Sequence, residues 1–271
     1  MFISLVLGLC VGAILGITGA GGGIFAVPAL VIGMGWSLPQ AAPVALVAVA
    51  GSAALGAVEA WRKNLVRYRA AIVMALAGIP VTAAGAFVAH HTSPTLLTLL
   101  FAAVMIVVAV RLLRSQHKKT TTDTQEITTY RVVLDEHTER FVWTMWTWLL
   151  FLSFGAITGF MTGLLAVGGG FIIVPLLRQF TPLTIHGCIA TSLLVIALVS
   201  SGGIVTTVMH GASLPLPMTV WFALSTAAGM FIGRKIGNYL PDHIAQLSFA
   251  GLLIIVALGM AINATIVRFA A

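Results

Sequence analysis

No charged side chain occurs between Met1 and Val58, and the stretches 70–110, 141–177, 179–233 and 243–267 are equally free of Asp, Glu, Lys and Arg. Each is long enough for one membrane crossing of about 20 residues, and several for two. Only 8% of the 271 residues are charged and 59% are hydrophobic. That leaves too few polar groups to cover a water-facing surface, and far too much apolar character for disorder. The apolar runs are continuous, whereas a barrel shows segments of about 10 residues of alternating polarity. The pattern predicts an all-α polytopic membrane protein in a lipid bilayer.

The formal net charge of +7 does not point to nucleic acid, because the basic residues lie in short segments between the apolar runs, as topology signals do. Cys10 and Cys188 both fall in apolar stretches, and the chain contains no C-x-x-C or Cys/His cluster. The pattern therefore implies no metal, no disulfide framework and no cofactor. The apolar N-terminus lacks the basic n-region and small-residue cleavage site of a signal peptide, so it reads as the first membrane element.

Shifted by 147 positions, the chain aligns with itself. Gly8, Gly12 and Gly16 fall on Gly155, Gly159 and Gly163. Gly21, Gly22 and Gly23 fall on Gly168, Gly169 and Gly170. Val27, Pro28 and Leu30 fall on Val174, Pro175 and Leu177. Such internal repeats are a signature of transporters. The expected organisation is repeat 1 over 1–114, a polar cytoplasmic loop over 115–145, and repeat 2 over 146–271. Each repeat opens with a Gly-rich stretch (2–34, 148–180). The three spans that follow are 41–60, 70–90 and 95–114 in repeat 1, and 187–209, 217–238 and 244–267 in repeat 2. Within the loop, Glu126–Leu134 alternates weakly, as a short hairpin would. Trp143, Trp146 and Trp148 follow it like an interfacial aromatic belt.

Residues 2–34 as one straight helix would run about 50 Å, beyond a core of about 30 Å. The arm after the glycines, about 16 Å long, cannot span alone. Loop charges favour re-entrant hairpins: with both stretches turning back, 13 of the 14 basic residues lie on the cytoplasmic side, against 11 if both cross. Three crossings per half make the repeats inverted, with both termini external and both hairpin tips near mid-bilayer.

Backbone at that depth must be hydrogen-bonded or face a polar cavity. The glycine triplets precede the second arms, whose first N–H groups favour anions. The residues expected to bind substrate are Thr18, Gly19, Ala20, Gly21, Gly22 and Gly23 in hairpin one. In hairpin two and the span after it they are Val167, Gly168, Gly169, Gly170, Thr191 and Ser192. Pro28 and Pro175 would act as structural hinges. Gly8, Gly12, Gly16, Gly155, Gly159 and Gly163 have the spacing of a packing face. Further hydroxyl candidates are Ser52, Thr82, Ser200, Ser201, Thr206 and Thr207, each more often bonded to its own helix than to a ligand. No Asp, Glu, Lys or Arg lies deep in a span, which argues against a proton or cation relay.

The segments G-A-G-G-G-I-F-A-V-P-A-L (19–30) and A-V-G-G-G-F-I-I-V-P-L-L (166–177) resemble the sulfite exporter TauE/SafE family, also called TSUP. A-T-S-L at 190–193 is similar to a family segment, while repeat 1 departs from it with P-V-A-L at 43–46. The resemblance covers nearly the whole chain. It implies an inner-membrane carrier, an exporter, for a small sulfur-containing anion such as sulfite, sulfoacetate or another organosulfonate, with a homodimer as the possible assembly. A passive anion channel, or a carrier for a different small anion, is the alternative. An intramembrane enzyme is disfavoured, since G-x-S-x-G, H-E-x-x-H and paired membrane Asp residues are all absent.

Overall fold

The computed structural model describes residues 2–19, 22–119, 141–209, 214–237, 239 and 242–270. Within them the chain is helical: α1 (Phe2–Thr18), a 3-10 turn (Gly22–Phe25), α2 (Ala26–Met34), α3 (Leu38–Arg62), α4 (Tyr68–His90) and α5 (Pro94–Lys119), then α6 (Met145–Leu165), α7 (Gly170–Phe180), α8 (Ile185–Met209), α9 (Leu216–Gly237) and α10 (Asp242–Ala270). The Glu126–Leu134 expectation lies outside the described residues.

Local signals explain the boundaries. Before α3, the Ser37 N–H donates to Gln40 Oε1 at 3.1 Å, with a proline in the helix's first turn. Thr144 caps α6, its side chain accepting from the Thr147 N–H. Among the described residues, six helices are long and apolar enough to cross a membrane: α3, α4, Pro94–Arg114 within α5, α6, α8 and α9. α6, expected only as a hairpin arm, is thus long enough to cross. Trp143 stacks near Trp148 with ring centroids 4.8 Å apart, and Trp146 is exposed, as a belt at the membrane surface requires.

The direction of each helix can be read from which residues meet. Gly8 faces Phe222 and Ser225, Gly12 faces Thr226, and Gly16 faces Met230 and Arg234, so α1 runs parallel to α9. Gly155 meets Met74, Gly159 meets Gly78 and Gly163 meets Thr82, so α6 runs parallel to α4. A Cβ on any of these six glycines would strike the facing helix, and all six serve close packing. Gly56 meets Leu193 while Gly203 meets Leu46, so α3 and α8 are antiparallel. Gly33 comes back against Leu7, which closes α1 and α2 into a hairpin.

The pairing between halves is an exchange. α1 packs chiefly on α9 and α6 chiefly on α4, while α3 packs on α8 and α5 on α10. The largest buried cluster sits where α2, α3, α5, α8 and α10 meet the two hairpin turns, and includes Phe25, Val49, Phe101, Val167, Ile196 and Met260. Phe25 meets Phe249 edge-on at 5.4 Å.

Candidate functional site

Both hairpin turns end on the crossing of α3 with α8. A Cβ on Gly23 would lie 3.1 Å from the Val167 carbonyl oxygen and 3.1 Å from Val49 Cγ1. A Cβ on Gly168 would lie 3.0 Å from Val49 Cγ1 and 3.1 Å from both Ile196 Cγ2 and Ser200 Oγ. Val49 is the twelfth residue of 25 in α3, and its repeat mate Ile196 is the twelfth of 25 in α8. The two turns therefore touch one another halfway along the longest buried helices.

Hairpin two turns through three residues with positive φ, two of them adjacent. Ala166 caps α6 with φ +57°, its N–H donating to the Thr162 carbonyl at 2.8 Å. Gly168 and Gly169 follow with φ +75° and +66°, conformations that side chains resist. Gly169 is the N-cap of α7, and no side chain caps that end. The N–H groups of Ile172 and Ile173 donate to the Gly169 carbonyl, and no side chain caps those of Gly170 and Phe171. Gly168, Gly169 and Gly170 are all buried.

Other expected residues lie in different settings. Thr18 donates to the Ile14 carbonyl at 2.7 Å, and Gly19 packs against Ile189. Ala20 and Gly21 lie outside the described residues, and of Gly22 only its place in the 3-10 turn is described. Thr191 and Ser192 are buried, but Thr191 Oγ1 accepts from the Arg67 N–H at 3.1 Å and Ser192 donates to the Ile189 carbonyl at 2.8 Å. Ser192 sits about 12 Å along α8 from Ser200, the residue that reaches hairpin two. Pro28 stands in the first turn of α2; Pro175 stands mid-way along α7, where it interrupts the helix's hydrogen-bond ladder.

Nearly every other hydroxyl in the interior is satisfied by its own helix. Ser52 donates to the Ala48 carbonyl, Thr82 to Gly78, Ser201 to Ala197 and Thr207 to Gly203. Among the described residues, two buried side-chain oxygens have no partner: Ser200 Oγ and Thr158 Oγ1. Ser200 reaches Gly168, and Thr158 packs on Gly169. Thr158 carried no sequence signal, since its repeat mate is Val11.

Beside this point lies a cavity of about 780 Å³ between the end of α1, α5, α7, the start of α8 and α10. Thr18 and Gly170 contribute to its wall, and Arg111, Arg178 and Gln179 also line it. Arg111 Nη2 donates to Gln179 Oε1 at 3.0 Å. In the sequence both arginines stand out only as topology signals.

The family model for the sulfite exporter TauE/SafE family matches residues 4–260. The chain belongs to that family. As a TauE/SafE protein it is a multi-pass membrane transporter. It is 28% identical over 237 residues to a probable membrane transporter protein of Xylella fastidiosa strain Temecula1, covering 87% of this chain and 82% of that protein. A protein of the same description from strain 9a5c is 27% identical over 235 residues, covering 86% and 82%. No solved structure matches this TauE/SafE chain significantly.

Proposed function

We propose that the protein is an inner-membrane carrier that exports a small sulfur-containing oxyanion, sulfite or an organosulfonate such as sulfoacetate, bound where the two hairpin turns meet. One observation carries the reading: two glycine-built turns, each opening a short helix, converge at the middle of α3 and α8. Helix N-termini stabilise anions without a buried cation, and small glycines let backbone approach a ligand closely. The cavity beside α7, with Arg111 and Arg178 in its wall, supplies a route from the cytoplasmic side.

Inverted repeats over 1–114 and 146–271, joined by a cytoplasmic loop, are supported by the helix directions. α1 runs with α9 and α9 with α3, α6 with α4 and α4 with α8, while α3 opposes α8. Mates thus point in opposite directions, which places both termini on the external side when the basic loops are cytoplasmic. Alternating access then moves α1 with α9 against α4 with α6, because each pair is locked by glycine contacts too close to slide. Pro28 and Pro175 are the hinges of the short arms.

Purified protein in proteoliposomes tests this. Saturable uptake of radiolabelled sulfite or sulfoacetate that is accelerated by unlabelled anion on the opposite side is the expected result. Ohmic anion current would identify a channel, and absence of flux for every sulfur oxyanion would refute the substrate class.

A further inference from the structure

The wall of the cavity between α5 and α7 is of two kinds. Its cationic groups gather at one end: Arg111 closes the apolar run of α5, and Arg178 stands in the last turn of α7 beside Gln179. From there the cavity follows α7 for about 12 Å to Gly170. The wall on the way is apolar, with Val104, Val107, Phe171, Val174, Ile189 and Phe249. Arg111 gives one N–H to Gln179, and among the described residues Arg178 has no hydrogen-bond or ion-pair partner. No acidic side chain among the described residues lines the cavity, and Glu59 is already held by Lys63 and Arg234. Two guanidinium groups, each with five N–H donors, therefore stand at the mouth of an apolar chamber without a counter-charge.

We infer that this cavity is an entry site for an organic anion with an apolar body: Arg111 and Arg178 hold the anionic head at the cytoplasmic mouth, and the apolar wall takes the body. The inference rests on the transport reading and deepens it, because it names the kind of sulfonate the carrier collects. A volume of about 780 Å³ falls within the range of about 300–1,000 Å³ typical of sites for organic ligands, and a bare sulfite would leave most of it empty. Sulfite would also give up hydration against an apolar wall that offers it nothing in return. A larger anion gains there, by about fourfold in affinity for each CH₂ buried.

The test is calorimetric binding by full-length protein in nanodiscs of zwitterionic lipid, where no detergent tail competes for the cavity. The probes are methanesulfonate, 1-butanesulfonate and the cation butyltrimethylammonium. Butanesulfonate, three CH₂ groups longer, should bind on the order of 50-fold more tightly than methanesulfonate, and the cation should not bind. Arg111→Gln and Arg178→Gln should each weaken both sulfonates by about 10-fold or more and leave their ratio unchanged. Arg178→Gln should unfold at the wild-type temperature, and Arg178→Lys should keep most of the binding. The isosteric changes Val107→Thr and Val174→Thr, made together, should shrink the ratio and leave methanesulfonate affinity unchanged. Equal affinity for the two sulfonates, or wild-type affinity in both Arg→Gln proteins, would overturn the inference. So would loss of butanesulfonate binding in discs of anionic phospholipid, with salt high in both discs to screen surface repulsion, since that assigns the cavity to a lipid. Saturable sulfite exchange in proteoliposomes without butanesulfonate binding would sink this inference alone; absence of both would sink the transport reading with it.

Discussion

Gly169→Ala tests how tightly hairpin two is built. Gly169 has φ +66°, where an L residue costs about 1–2 kcal/mol. The added methyl would overlap Thr158 Cγ2 and lie 3.1 Å from the Thr158 carbonyl oxygen and 3.2 Å from its Cβ. Overpacking of this kind costs about 1–3 kcal/mol. The total is about 2–5 kcal/mol, which lowers the unfolding temperature by on the order of 10 °C. Thr158→Ala removes the clashing methyl but leaves the backbone strain, so the two changes should couple. In the Thr158→Ala background the loss caused by Gly169→Ala should shrink to about 1–2 kcal/mol. Thermal unfolding in detergent without added anion measures all four proteins. Gly51→Ala is the control, because a Cβ there meets nothing within 4 Å. A Gly169→Ala protein as stable as wild type, or an equal loss in both backgrounds, would refute the reasoning.

Gly12→Ala and Gly159→Ala should each lower the unfolding temperature sharply, since the new Cβ strikes α9 backbone in one case and α4 backbone in the other. Gly51→Ala should instead raise stability by about 0.5–1 kcal/mol through helix propensity. Ala166→Gly should stabilise by about 1 kcal/mol in the same assay, because Ala166 holds φ +57° where its repeat mate is Gly19 at φ +81°. Glu59 Oε2 accepts from Arg234 Nη1 at 2.8 Å between α3 and α9, with both side chains partly exposed; Glu59→Gln should cost no more than about 1 kcal/mol, and raising salt should shrink the difference. Single cysteines replacing Lys63 and Thr184 should react with an impermeant maleimide from one side of the membrane, and those replacing Trp36 and His91 from the other. Reaction of Trp36→Cys and Thr184→Cys from the same side would overturn the inverted arrangement.

Much of this architecture was legible in residue order. Charge-free runs announced the membrane helices because each buried charge is expensive in lipid. The Gly8–Gly12–Gly16 and Gly155–Gly159–Gly163 rows announced close helix contacts, and all six glycines meet a facing helix. The break at residues 19–23 and 166–169 announced a turn, because a short arm after clustered glycines cannot continue a span. The hydroxyls were not legible in the same way. Thr191 and Ser192 stand in a family-like segment, yet they bond Arg67 and Ile189. Which turn of α8 meets hairpin two depends on where α3 and α8 cross, and no local pattern encodes that point. Thr158 was invisible because one threonine in an apolar run ordinarily bonds its own helix.

By itself the sequence determined the class, the positions of the glycine breaks and the faces available for packing, because these follow from transfer energies and from which residues lack a side chain. Only the tertiary structure decided the partners. α1 packs on α9 and α6 on α4, so each hairpin is gripped chiefly by the other half of the chain. A glycine row specifies that some helix will approach closely, but not which one; that choice needs the opposing backbone, and here it comes from the other repeat. The same choice brings Gly23 to Val167 and Ser200 to Gly168, and sets two separate glycine motifs against one another.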